Sequence, residues 1–150
     1  MTVRSILAAL IAGALAVGAM TSAAAARGTP TLKVRLIEFQ VQPRLEYIAA
    51  GKTKLVVKNS GTEEHEFVIV RGDDPAALPT VADGSVDEDQ IAKADAIGEL
   101  EEIKKGKTKS KVFKLSPDKY IFFCNVVETE KDGTVVSHFA EGMHTVVDAS

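Results

Sequence analysis

One cysteine, Cys124, is all that the 150-residue chain contains. A lone thiol cannot close an internal disulfide, so Cys124 is a packed apolar residue, a reactive thiol or a metal ligand. Basic residues do not outnumber acidic ones. Eighteen stand against 21, a net charge of −3, which argues against nucleic acid as a partner. Past residue 26 no apolar run is long enough to cross a bilayer, and there is neither an internal repeat nor a low-complexity tract. Methionine is scarce as well, with Met143 the only one beyond that point.

The first 26 residues have their own character. Arg4 supplies a short basic start, Ile6 to Ala19 is apolar, and Thr21-Ser22-Ala23-Ala24-Ala25-Ala26 is a run of small residues. This is the pattern of a secretory signal peptide, with cleavage expected after Ala26. An uncleaved anchor is the alternative, but the apolar run is short for a span of about 20 residues. Residues 1–26 are therefore expected to be a leader and 27–150 one exported domain, periplasmic or otherwise outside the cytoplasm. It is expected to be monomeric and without stable membrane insertion.

From Thr31 onward the pattern is mostly β. Leu32, Val34 and Leu36 alternate with Lys33 and Arg35, then the phase slips and Ile37, Phe39 and Val41 alternate with Glu38 and Gln40. Such a slip predicts a bulge or a strand that changes sheets. Further strands are expected over Lys54–Asn59, His65–Val70, Thr108–Leu115, Lys119–Cys124 and His144–Asp148, separated by turn signals such as Asn59-Ser60-Gly61 and Ser116-Pro117-Asp118. Short strands at this spacing predict an antiparallel sandwich. The stretch Arg71–Ile103 breaks the pattern. Ser85 and Glu88 have capping-box spacing, and Ile91, Ala94 and Gly98 suit a short helix on the side of the sandwich.

Four donor side chains fall at the ends of these strands. His65 opens one strand, Cys124 closes another, and His138 and Met143 precede the last. If neighbouring strands run antiparallel, all four meet at one end of the sandwich. A thiolate, two imidazoles and a thioether form the donor set of a blue-copper site. Each donor alone has an ordinary reading: Cys124 as packing, His65 as a surface residue, Met143 as core. His144 is either an exposed side chain or a substitute ligand, but neighbouring strand residues face opposite ways, so Met143 and His144 should not share an ion.

Three segments then resemble the cupredoxin family of plastocyanin- and azurin-like blue copper proteins: Asn59 to Phe67, Pro117 to Asn125 and His138 to Met143. The resemblance implies an all-β, Greek-key antiparallel sandwich with His65, Cys124 and His138 as equatorial ligands of one copper ion and Met143 as the axial one. Thirteen residues separate Cys124 from His138, more than the family's usual few. Lys131-Asp132-Gly133-Thr134 between β-prone pieces predicts a hairpin that folds out and returns the chain. Glu66 stands where many relatives have an asparagine that ties the ligand loops together.

The resemblance implies a non-enzymatic carrier of single electrons. A copper chaperone or store, or a metal-free interaction sandwich, are the alternatives; stores tend to carry methionine-rich or paired-cysteine sites. Glu63, Glu64, Glu66, Glu128, Glu130 and Glu141 are expected to form an acidic rim near the metal, suited to a redox partner with a basic face such as a c-type cytochrome.

Overall fold

The structure, a computed structural model, describes residues 28–150. The leader expected over residues 1–26 lies outside them. Alternation decides the first strand: Leu32, Val34 and Leu36 are buried on one face of β1 (Thr31–Ile37), while Lys33 and Arg35 on the other are exposed. The phase slip after Leu36 is a reversal of the chain. Residues 38 and 39 turn β1 back into β2 (Gln40–Pro43), which pairs with it antiparallel, so the slip is neither a bulge nor a change of sheet.

β3 (Tyr47–Ile48) leads into β4 (Gly51–Asn59), which buries Thr53, Leu55, Val57 and Asn59 and exposes three lysines between them. β4 runs parallel to β1 and antiparallel to β7 (Thr108–Leu115), giving one sheet of order β2-β1-β4-β7. The second sheet has the order β3-β11-β8-β5-β6, with β5 at His65–Arg71, β6 at Ala96–Ile103, β8 at Asp118–Phe123 and β11 at His144–Ala149. β3 and β11 are parallel. The sandwich is thus mixed, with two parallel pairs where an all-antiparallel arrangement was expected.

Side chains alternating along β5 and β8 feed two separate cores. Phe67, Ile69, Tyr120, Phe122 and Cys124 face the opposite sheet, whereas Val68, Val70, Ile121 and Phe123 face a second cluster with Val86 and Phe139. Burial on both faces explains why these strands read as continuous apolar runs. The segment over residues 72–95 covers the second cluster. It contains 3-10 turns at Pro75–Ala77 and Glu88–Gln90 instead of the expected α-helix. The Ser85 hydroxyl is engaged by Asp83 at 2.7 Å, and no side chain caps Glu88–Gln90. Ala96 onward pairs with β5, so the stretch expected to end the helix is strand.

The predicted hairpin is present. β9 (Val127–Thr129) and β10 (Val135–Ser137) pair antiparallel, and the His138 amide donates to the Val126 carbonyl at 2.9 Å, closing the hairpin at its base.

Candidate metal centre

Antiparallel pairing of β5 with β8 sets Val68 opposite Phe123, so the start of one strand and the end of the other share one edge of the sandwich. His65 and Cys124 lie there, and the closed hairpin base returns His138 to the same edge. The three donor atoms converge. His65 Nδ1 and His138 Nδ1 are 3.2 Å apart, and Cys124 Sγ lies 3.3 Å from His138 Nδ1 and 3.9 Å from His65 Nδ1. All three residues have no exposed surface.

Met143 is buried in the same core and tied to two donors through its backbone. Its amide donates to the His138 carbonyl at 2.9 Å, and its carbonyl accepts from the Cys124 amide at 3.1 Å. His144 is not part of this group. It follows Val146 onto the outer face of β11, where its ring lies 5.2 Å from that of Phe139.

The surroundings hold the donors in place. Asn59 donates through Nδ2 to the carbonyls of Glu63 and Ile103 and accepts from the Gly61 amide, shaping the loop before His65. Glu66 performs the tie expected of an asparagine: it accepts from the Asn125 amide at 3.0 Å, while its own amide donates toward Cys124 Sγ at 3.4 Å. Asn125 in turn bonds both backbone groups of Val86.

Carboxylates lie behind both rings. Glu38 Oε1 is 3.6 Å from His65 Nε2, while Glu63 and Glu128 approach His138 Nε2 to 3.4 and 3.8 Å. Glu38 and Phe39, read in the sequence only as part of a strand alternation, were not expected at the site. The signal was an acid and an aromatic residue at the phase slip, where the chain reverses beside the site; Phe39 packs edge-on against His138 with ring centres 5.2 Å apart. Glu38 also accepts from the amides of Thr62 and Glu63. A Cβ on Gly61 would collide with the Glu38 carboxylate, so that position is kept clear of side chain.

Burial sets the proton states. It lowers the His65 pKa to about 4, with the neighbouring His138 adding to the effect, and it lowers that of His138 too. Burial pushes the Cys124 thiol up to about 12 against the opposing pull of the Val126 and Glu66 amides. Burial also raises Glu63 and Glu128, helped by Glu128 and Glu130 respectively. Burial pushes Glu38 up as well, but the amides it accepts from prevail and bring it to about 2.

A metal suits these atoms. The carboxylates behind the rings favour a proton on each Nε2, although neither Nε2 makes a hydrogen bond, and that tautomer turns two nitrogen lone pairs toward the sulfur. The protonated thiol can donate to one ring nitrogen, but the two nitrogens 3.2 Å apart still face each other, and a cation would satisfy all three donors at once. A first-row metal about 2.0 Å from nitrogen and about 2.3 Å from sulfur in a trigonal plane holds its donors about 3.5 Å apart, close to the separations observed.

A model of the cupredoxin-like domain matches residues 8–137, and the chain belongs to that family. The matched stretch includes His65 and Cys124 and stops one residue before His138. Among solved structures, the fold is similar to the dithionite-reduced auracyanin of Roseiflexus castenholzii, at 19% identity and a TM-score of 0.55 over 81% of this chain and 98% of that one. Auracyanin A of Chloroflexus aurantiacus, described as a "blue" copper protein, is 16% identical with a TM-score of 0.51 over 82% and 100%. Rusticyanin from Thiobacillus ferrooxidans is 13% identical with a TM-score of 0.55 over 81% and 77%. Comparison with curated proteins finds no match.

Proposed function

We propose that this chain is an exported carrier of single electrons, in which His65, Cys124 and His138 would hold one copper ion and Met143 would add a weak fourth donor. The convergence of two lone-pair nitrogens and one sulfur at a buried point carries this reading. When bound, copper supplies the Cu(II)/Cu(I) couple, and a soft thiolate with a weak axial thioether suits both states. The protein contributes rigidity. Cys124 and Met143 are cross-linked through their backbones, and the loops carrying His65 and His138 are fixed by Asn59 and by the hairpin base. Donors that barely move between oxidation states keep reorganisation small.

The acidic edge formed by Glu38, Glu63 and Glu128 supports a partner with a basic face, such as a c-type cytochrome, met by electrostatic steering. A carrier role, as opposed to an enzymatic one, is supported by the similarity of the fold to auracyanin A, a "blue" copper protein. The leader pattern of residues 1–26 supports export. Adding Cu(II) to the apo-protein tests the reading: an intense visible thiolate-to-copper band with a narrow copper hyperfine splitting is expected, and a colourless adduct would overturn it.

A further inference from the structure

The broad outer face of the β2-β1-β4-β7 sheet carries a charge pattern unrelated to the metal edge. Its outward positions on β1 are Thr31, Lys33 and Arg35, and on β4 Lys52, Lys54, Val56 and Lys58, all but Val56 exposed. β7 adds Lys114, and Arg44 follows β2. None of these outward positions is acidic, and among the described residues no carboxylate makes an ion pair with any of the seven cations. The protein is net negative, so a face of one positive sign stands against its overall charge.

The register makes the pattern costly. Arg35 pairs with Lys58 across β1 and β4, and Lys52 with Lys114 across β4 and β7. Arg44 donates its amide to the Lys33 carbonyl, bringing a third pair of like charges side by side. Like charges directly opposite on one face of a sheet destabilise it. Lysines on edge strands guard against strand pairing between molecules, which accounts for Arg44 and Lys114. It does not account for the cations of β1 and β4, which are interior strands.

We propose that this face docks on a bilayer surface rich in anionic phospholipid headgroups. A shallow groove of about 750 Å³ lies among Lys33, Arg35, Arg44 and Lys58, wide enough for headgroup phosphates to reach several cations together. The face has no aromatic side chain, and its apolar members are exposed Val112, opposite Lys54, and half-buried Val56, so it lacks the aromatic anchors that protein interfaces favour. A broad, nearly featureless cationic sheet matches a planar array of phosphates, where each lysine or arginine adds a similar increment. The geometry has a consequence for orientation. The metal edge lies at the strand ends and the basic face is the strands' broad side, so docking directs the carboxylate-lined edge along the bilayer, toward partners in the same plane.

Cosedimentation of the full chain with two vesicle types tests this, one of phosphatidylcholine and one of equal parts phosphatidylcholine and phosphatidylglycerol. The readout is the ratio of the two partition coefficients. The ratio is expected to exceed one and to fall with salt. The triple variant Lys33→Gln, Lys54→Gln, Lys58→Gln should lower it by about a hundredfold. Lys93→Gln, Lys119→Gln, Lys131→Gln, which removes as many charges from the segment before β6, from β8 of the other sheet and from the β9–β10 tip, should leave it nearly unchanged. Wild type and both triples share the same N-terminal stretch, so comparing their ratios removes its contribution, the charge of Arg4 included. Equal losses in the two triples would reduce the effect to net charge and overturn the proposal, as would a ratio of one. Tight binding to soluble polyphosphate without vesicle preference would reassign the face to a soluble polyanion. Because the first triple relieves repulsion, its thermal midpoint should not fall; a lower midpoint would contradict the cost assigned to the like-charge pairs. None of these readouts depends on copper.

Discussion

The Nε2 atom of fully buried His138 lies 3.4 Å from a carboxylate oxygen of Glu63, a residue on the loop that leads into β5. A negative charge behind a ligating imidazole makes the ring a better donor and favours the more positive oxidation state of the metal. Replacing Glu63 by glutamine keeps the shape and removes the charge. The reduction potential should rise by roughly 50 mV, about 1 kcal/mol for one electron through a partly solvated contact. Protein-film voltammetry of the copper form measures it, and an unchanged potential would show that solvent screens Glu63 entirely.

Cys124→Ser should abolish the visible thiolate-to-copper band, because the transition originates on sulfur. His144→Ala should leave that band where it is, since His144 sits on the outer face of β11 against Phe139. Optical spectra of the two copper-loaded variants check both. Loss of the band in His144→Ala would mean that the ligand loop rearranges on binding.

Met143→Leu should retain copper and colour and raise the reduction potential, since a thioether stabilises Cu(II) more than a hydrocarbon does. The backbone bonds of Met143 to His138 and Cys124 survive the change, so the site should remain intact. Loss of the metal would show that the sulfur is needed for binding itself.

Metal binding should release close to one proton at neutral pH. Burial holds the Cys124 thiol protonated, with a pKa of about 12, and leaves His65 neutral, with a pKa of about 4. The thiol must lose its proton to coordinate and the imidazole need not. Between these two values affinity should fall about tenfold for each unit the pH drops, and more steeply below about pH 4, where His65 takes up a proton. Calorimetry in buffers of different ionisation enthalpy gives the proton count. Release of two protons would mean that one imidazole is charged in the apo-protein.

The strands around the site were legible because their alternation is strong and their breaks are marked by glycine, proline and asparagine. Thr108–Leu115 agrees at both ends, and His65, Cys124 and His138 meet as their strand-end positions required. What escaped had physical reasons. β6 carries Gly98, whose φ of 136° a strand pattern does not announce, and its register against β5 shifts twice. The expected helix rested on Ser85, whose hydroxyl turns to Asp83. Glu66 looked like a lost tie because only its residue type was visible, not its bond to the Asn125 amide. The cationic face was hidden in a net charge of the opposite sign, since alternation separates two faces that a sum over the chain combines.

Thirteen residues lie between Cys124 and His138, yet the bond from the His138 amide to the Val126 carbonyl crosses that interval at its base. Beyond that bond the chain pairs with itself, apart from Glu128 and Ser137, which reach back to His138 and Ala140. To the metal, the two ligands belong to a short loop; to the folding chain, they belong to a long one. Length can therefore be added or removed at the tip, between Thr129 and Val135, without altering the donor geometry. Such changes at the tip would spare Glu128, which lies below it in β9 and stays beside His138.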